Sequence, residues 1–273
     1  MTFELRGTLV LVGAGKMGGA MLEGWLKGGA DPKKIAVIDP SPPPEVKSLI
    51  EKHAVRWNPA ISGIADAEVL LVALKPQAME DVLPGVVPLG ASKPLIISVA
   101  AGKTIASFER HFGGSAAIIR TIPNTPAAVG RGITAMAANP HVSPAQLQLA
   151  RALLSAIGEV VTVADEAMID AATAVSGSGP AYVFYLTECL AAAGAKAGLP
   201  AALAMQLARA TVAGAGELMR LSGQPAAILR QNVTSPKGTT DAALQVLMAE
   251  NGMQPLFDKA IAAATRRSRE LAS

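Results

Sequence analysis

Seven apolar, β-branched runs punctuate the first 165 residues of the chain and then stop. They are TLVLV (8–12), KIAVID (34–39), EVLLVAL (68–74), LIISVA (95–100), AAIIRTI (116–122), GITAMAA (132–138) and EVVTV (159–163). Between several of them lie segments of helical period, such as KMGGAMLEGWLKG and PAQLQLARALLSAIG. A strand that is apolar at every position has both faces buried, and helices alternating with such strands supply the cover. The pattern predicts a doubly wound α/β sheet, Rossmann-like, over residues 1–165. No further β-branched strand follows. Ala-rich helical segments at about 166–174, 180–197, 201–221, 239–250 and 255–271 are broken at GSGP, GLP, SGQP and NGMQP, which predicts an all-α second domain over 166–273. Ala and Gly along those helices allow close backbone approach, as in a bundle or an intertwined dimer. With no low-complexity linker between them, the two domains are expected to abut.

Composition narrows the function. Only 16% of the 273 residues are charged, 3% are aromatic and the net charge is +3, which describes a folded chain. The one dense basic cluster, RRSR at 266–269, reads as a solvated helix end. Basic residues interleaved with aromatics are absent, so nucleic acid is not an expected partner. No run approaches the roughly 20 apolar residues of a membrane span, and MTFELRG does not look like a signal peptide. Cys189, the single cysteine, precludes an intrachain disulfide and points to a reducing, cytoplasmic setting. Within YLTECLAAAG it reads as a small buried hydrophobe. His53, His111 and His141 are scattered on polar segments, and no metal site is expected.

The chemistry begins at VLVGAGKMGGAM. Gly13, Gly15 and Gly18 follow the first strand and open a helix, with Ala14, Lys16 and Met17 between them. The first Gly permits the tight turn, the second lets a pyrophosphate approach the backbone, and the third lets helix and strand pack closely. Asp39 ends the second strand, where an acid accepts hydrogen bonds from the adenosine ribose. Cofactor loops are expected at the strands' carboxyl ends: Ala73, Leu74, Lys75 and Pro76, then Ala100, Ala101 and Gly102, then Asn124 within TIPNTPA. Lys75 also suits an ordinary surface position, and Pro123–Pro126 also suits a rigid turn. No Lys or Arg follows Asp39 before Lys47, although Ser41 is able to bind a phosphate, so NADPH and NADH both stay open.

The run QNVTSPKGTTD (231–241) interrupts an apolar helical region with hydroxyls, an amide and a Gly. One reading is a helix–helix connection with a capping hydroxyl. The other is a polar cradle for a small ligand. GAGKMG, LKP, SVAAG, PNTPA, SGSGPAYVF and NVTSPKGTTDAAL, taken in order along the whole chain, resemble the pyrroline-5-carboxylate reductase family. The resemblance implies NAD(P)H-dependent reduction of 1-pyrroline-5-carboxylate, a small imino acid, to L-proline. It implies a helical domain that interlocks in a homodimer, and such dimers often assemble into decamers of five dimers. By position, Thr240 would bond the ring nitrogen as the catalytic residue. N–H groups near Gly238 and Thr239 would hold the carboxylate, and Ser235, Asn232 and Glu166 would complete the substrate pocket. Asn58 joins the cofactor contacts, and SGSGP (176–180) lines the dimer interface if it is more than helix punctuation. One position departs from the family: Lys237 stands where SPGGTT has its first Gly. That loop is strained if the position needs positive φ, and otherwise the lysine adds a cation near the carboxylate.

Overall fold

The computed structural model describes residues 4–272. In chain order these form β1 (Thr8–Val12), α1 (Lys16–Lys27), β2 (Ile35–Ile38), α2 (Pro44–His53), β3 (Arg56–Trp57), β4 (Ala67–Val72), α3 (Met79–Val86), β5 (Leu95–Ser98), α4 (Ile105–Phe112) and β6 (Ile118–Pro123). They continue as β7 (Gly132–Ala138), α5 (Pro144–Leu154), β8 (Gly158–Thr162), α6 (Met168–Ala172), α7 (Gly179–Lys196), α8 (Ala201–Ser222), α9 (Ala226–Asn232), α10 (Thr239–Leu247) and α11 (Met253–Ala272). They belong to two compact units. One runs to Gly177 and takes up the chain again from Ala264, and the other is Ser178–Ala263.

The first unit holds one eight-stranded sheet of order β3-β2-β1-β4-β5-β6-β7-β8. All neighbours are parallel except β6 and β7. The exception has a simple cause. Only a short 3-10 turn at Thr125–Val129 separates β6 from β7, too little chain for the crossover that a parallel pair requires. Both faces of the sheet are buried along its inner strands, as the apolar runs predict, whereas the edge strand β8 has no buried residue, because among the described residues nothing pairs with its outer side. Leu9 and Leu11 of β1 pack with Met21, Leu22, Trp25 and Leu153 on one side. Val10 and Val12, one residue out of step, pack with Leu70, Leu83 and Phe108 on the other. Period-two alternation thus feeds two cores. The Trp25 indole also donates to the carbonyl of Leu153 at 2.8 Å, which ties α1 to α5. Edge strand β3, only two residues long, escapes the sequence pattern.

In the second unit α7 packs on α8, and the edge of the Tyr182 ring meets Phe257 with centroids 6.5 Å apart. Of α7 and α8 only Ala191, Ala204 and Ala208 are buried. Phe184, Tyr185, Leu190, Leu203, Leu207, Leu218 and Leu221 are exposed on the single chain. Cys189, expected in a core, is exposed as well, because α7 is covered only where α8 meets it. Its thiol takes part in a hydrogen bond with Tyr185 one helical turn away, and that bond is the largest of the influences that raise the phenol's pKa.

Candidate active site

In a sheet of this order the strand order reverses between β1 and β4, and ligands bind at the strands' carboxyl ends there. Gly13 closes β1 with φ +88°, a left-handed conformation that side chains rarely adopt. A Cβ on Gly18 would lie 2.2 Å from the Gly13 carbonyl, so α1 can sit this close to the turn only with glycine there. Gly15 differs: a Cβ on it would meet no protein atom within 4 Å. The chain therefore does not itself need glycine at that position, whereas a pyrophosphate approaching the backbone does. Gly15 is the N-cap of α1, and no side chain caps that helix. Its first-turn N–H groups and the helix dipole thus face the open space at Gly15. These features fit a dinucleotide.

Asp39 lies beside this turn. Its Oδ2 accepts from Ala14 N at 2.6 Å and its Oδ1 from Ser41 N at 2.8 Å, so the carboxylate bridges the glycine-rich turn and the loop after β2. Asn58 grips the Asp39 backbone with both amide ends: Oδ1 accepts from Asp39 N and Nδ2 donates to Asp39 O, each at 2.9 Å. The Trp57 indole also donates to Asp39 O at 2.9 Å. Lys47, the first basic residue after Asp39, stands over the Trp57 ring at 5.4 Å.

The loops after β4 and β5 approach the same end of the sheet. Ala73 N donates to Val12 O at 2.8 Å, which continues the β1–β4 seam up to Leu74, Lys75 and Pro76. Lys75 is exposed and Ala100 is buried. Ala100 N donates to the Ser98 hydroxyl at 3.2 Å, and Ala101 and Gly102 follow in a turn. Asn124 is buried with its amide in use. Oδ1 accepts from Ile133 N at 2.9 Å and Nδ2 donates to Ser176 O at 3.1 Å, tying β7 to the π-helical turn Thr173–Gly177.

A further cluster surrounds Glu166. Arg120, in the middle of β6 and 4% exposed, donates from NH1 to Glu166 Oε1 at 3.0 Å and faces Asp170 Oδ1 from NH2 at 3.7 Å. Glu166 Oε1 also accepts from Ile105 N at 2.8 Å, at the start of α4. Sequence reasoning misses Arg120 and Asp170. The one signal was an arginine within the otherwise apolar run AAIIRTI.

In the second unit the segment that follows α9 turns into α10. Gly238 N donates to Ser235 O at 2.9 Å, and Gly238 is the N-cap of α10 without any side-chain cap. Lys237 has φ +60°, so the position that departs from the family pattern does sit in the left-handed region, and the loop carries that strain. Asp241 Oδ2 accepts from Lys237 N at 3.0 Å and holds the turn closed. Thr239 and Thr240 stand in the first turn, while Asn232 is exposed at the end of α9. The reading of a capping hydroxyl fails here: the N-cap is glycine and the first turn is open.

A Rossmann-type unit with an open phosphate cradle, together with a separate all-helical unit, defines a dinucleotide-dependent oxidoreductase of the two-domain kind. Comparisons narrow the class. A family model described as coenzyme F420-dependent NADP oxidoreductase matches residues 8–102, and one for pyrroline-5-carboxylate reductase dimerisation matches 166–271. A pyrroline-5-carboxylate reductase from Pseudomonas aeruginosa is 39% identical over 264 residues, which is 97% of this chain and 96% of that one. One from Synechocystis is 46% identical over 82% of each chain. The solved pyrroline-5-carboxylate reductase of Coxiella burnetii superposes with a TM-score of 0.91 at 35% identity, covering 98% of this chain and all of the other. That of Plasmodium falciparum, determined with NADP bound, gives 0.79 at 28% identity over 98% and 99%. The chain belongs to the pyrroline-5-carboxylate reductase family.

Proposed function

We propose that this chain reduces 1-pyrroline-5-carboxylate to L-proline with NADH or NADPH, the last step of proline biosynthesis. The observation that carries the reading is the open first turn of α10, a helix N-terminus with a glycine N-cap and two threonines, set in the segment most characteristic of the family. Around Gly238 and Thr239 the Gly238 N–H is engaged by the Ser235 carbonyl, so the first-turn N–H groups from Thr239 onward hold the substrate carboxylate on the positive end of the helix. Thr240 orients the ring nitrogen, which ends protonated, and the imine carbon, C5 in proline numbering, receives the hydride. When bound, the reduced nicotinamide supplies that hydride. An iminium carbon is already electrophilic, so the protein's task is alignment. Ser235, Asn232 and Glu166 complete the substrate pocket. Gly13 to Gly18, Asp39, Ser41, Asn58, Ala73 to Pro76, Ala100 to Gly102 and Asn124 serve the cofactor. Asn58 does so by fixing Asp39, since both ends of its amide are engaged there.

The same proposal makes the active form a homodimer, with decamers of five dimers as a further assembly. The number of large apolar residues left exposed on α7 and α8 supports pairing, because apolar surface in water is unfavourable. Among the described residues no helix is long and apolar enough to cross a membrane. A cytoplasmic location belongs to the proposal too, as a reducing compartment keeps the single free thiol reduced. Mixing purified protein with pyrroline-5-carboxylate and NADPH or NADH tests the activity. Loss of the reduced cofactor's absorbance with stoichiometric proline supports it, and a rate no higher than without enzyme refutes it.

A further inference from the structure

The end of α11 returns to the first unit and meets two sides of the loop that runs from β5 into α4. Ser268 Oγ donates to Asp170 Oδ1 at 2.7 Å, with Ser268 8% and Asp170 7% exposed. The same carboxylate oxygen faces Arg120, whose other nitrogen donates to Glu166 Oε1, and that oxygen accepts from Ile105 N. Four side chains thus lead from α11 to the residue that closes the loop. The second contact is direct. Gly102 has φ +72°, and a Cβ on it would stand 3.0 Å from the Leu271 carbonyl, so the loop backbone lies close against the last turn of α11.

From this geometry we infer that Ser268 is a positioning residue for the 99–104 loop: through Asp170, Arg120 and Glu166 it sets where Ala100 to Gly102 stand for the nicotinamide cofactor. A buried arginine between two carboxylates is weak evidence for stability, since well-packed apolar residues often serve as well. What such a network supplies, when its members are satisfied as here, is a definite geometry. The inference rests on the reading of that loop as part of the cofactor site.

The test compares wild type with Ser268→Ala, Ser268→Cys and Ser268→Thr. It measures the NADPH dissociation constant by fluorescence titration, steady-state constants for both substrates, and hydrogen exchange of amides 100–105. Ser268→Ala should weaken NADPH binding by roughly three- to tenfold, part of what losing a hydrogen bond to a charged acceptor changes in an equilibrium constant. Exchange in the loop should accelerate and kcat should stay within about twofold, while the KM for pyrroline-5-carboxylate, which Glu166 also serves, should change less than the NADPH constant. Ser268→Thr, which keeps the hydroxyl, should restore wild-type binding. Ser268→Cys, close in shape but a weaker donor, should fall between, and it decides the matter if the alanine variant does not fold. Unchanged NADPH affinity with a lower Tm, or equal losses for both substrates, would overturn the inference. If wild type itself binds no NADPH, the reading of the cofactor site falls first, which is a distinguishable result.

Discussion

Replacing Asp39 by serine should turn the enzyme toward NADPH. The Asp39 carboxylate bridges Ala14 N and Ser41 N at 2.6 and 2.8 Å, which fixes a negative charge beside the phosphate turn. At about 5 Å and an effective dielectric constant of about 40–80, a 2′-phosphate of charge near −2 is disfavoured there by about 1.5–3 kcal/mol. Salt reduces that figure to about 1–2 kcal/mol. Losing a ribose hydrogen bond weakens NADH by up to about 1 kcal/mol more. Together these give about 1–3 kcal/mol, or roughly a 5- to 150-fold change in the kcat/KM ratio of NADPH to NADH. Wild type should therefore use NADH at least comparably to NADPH, even though a relative in the family binds NADP. Serine also leaves the buried Ala14 N–H without its acceptor, so Asp39→Asn, which drops the charge and keeps one oxygen, is the control. Initial rates with each cofactor, for wild type and both variants, are the assay. A wild-type preference for NADPH of tenfold or more, or a ratio that neither variant moves, would refute the assignment.

Thr240→Ala should lower kcat by about tenfold or more, the worth of one hydrogen bond made mainly in the transition state, while thermal unfolding stays near wild type; wild-type turnover in the folded variant would remove Thr240 from the mechanism. Lys237→Gly should stabilise the chain by about 0.5–1 kcal/mol by relieving the left-handed backbone at φ +60°. Lys237→Ala should bring no such gain, and a scanning calorimeter that finds the two variants alike would contradict the strain. Light scattering at micromolar concentration should find a dimer or a larger assembly, against which a fully active monomer would count. Proline should inhibit competitively against pyrroline-5-carboxylate, and the methyl ester of the substrate should not bind; equal turnover of the ester would free residues 235–240 from the carboxylate.

Most of the sheet is legible because its signals are local. Apolar runs give β1, β2 and β4 to β8, and the glycine spacing gives the turn into α1. What escapes is set by partners far along the chain. Arg120 meets Glu166, Asp170 and, through Asp170, Ser268, separations that no periodicity encodes. Asp39 and Asn58 are both visible as candidates, but the way each is held by the other's loop appears only once β2 and β3 are side by side. The reverse error concerns α7. Cys189 reads as core yet is exposed, because a sequence carries the same apolar pattern whether its partner lies in the same subunit or another, and the bundle and the intertwined dimer read alike. The helix expected at about 166–174 passes at Thr173–Gly177 into a π turn that lies against β6.

The account's central claim is that hydride passes to the imine carbon of pyrroline-5-carboxylate. Supplying NADH or NADPH carrying deuterium at both C4 positions, and analysing the proline formed, tests it without regard to which face of the nicotinamide reacts. Proline with a single deuterium at C5 is the predicted result. Oxidised cofactor without labelled proline, or label at any other carbon, would contradict it.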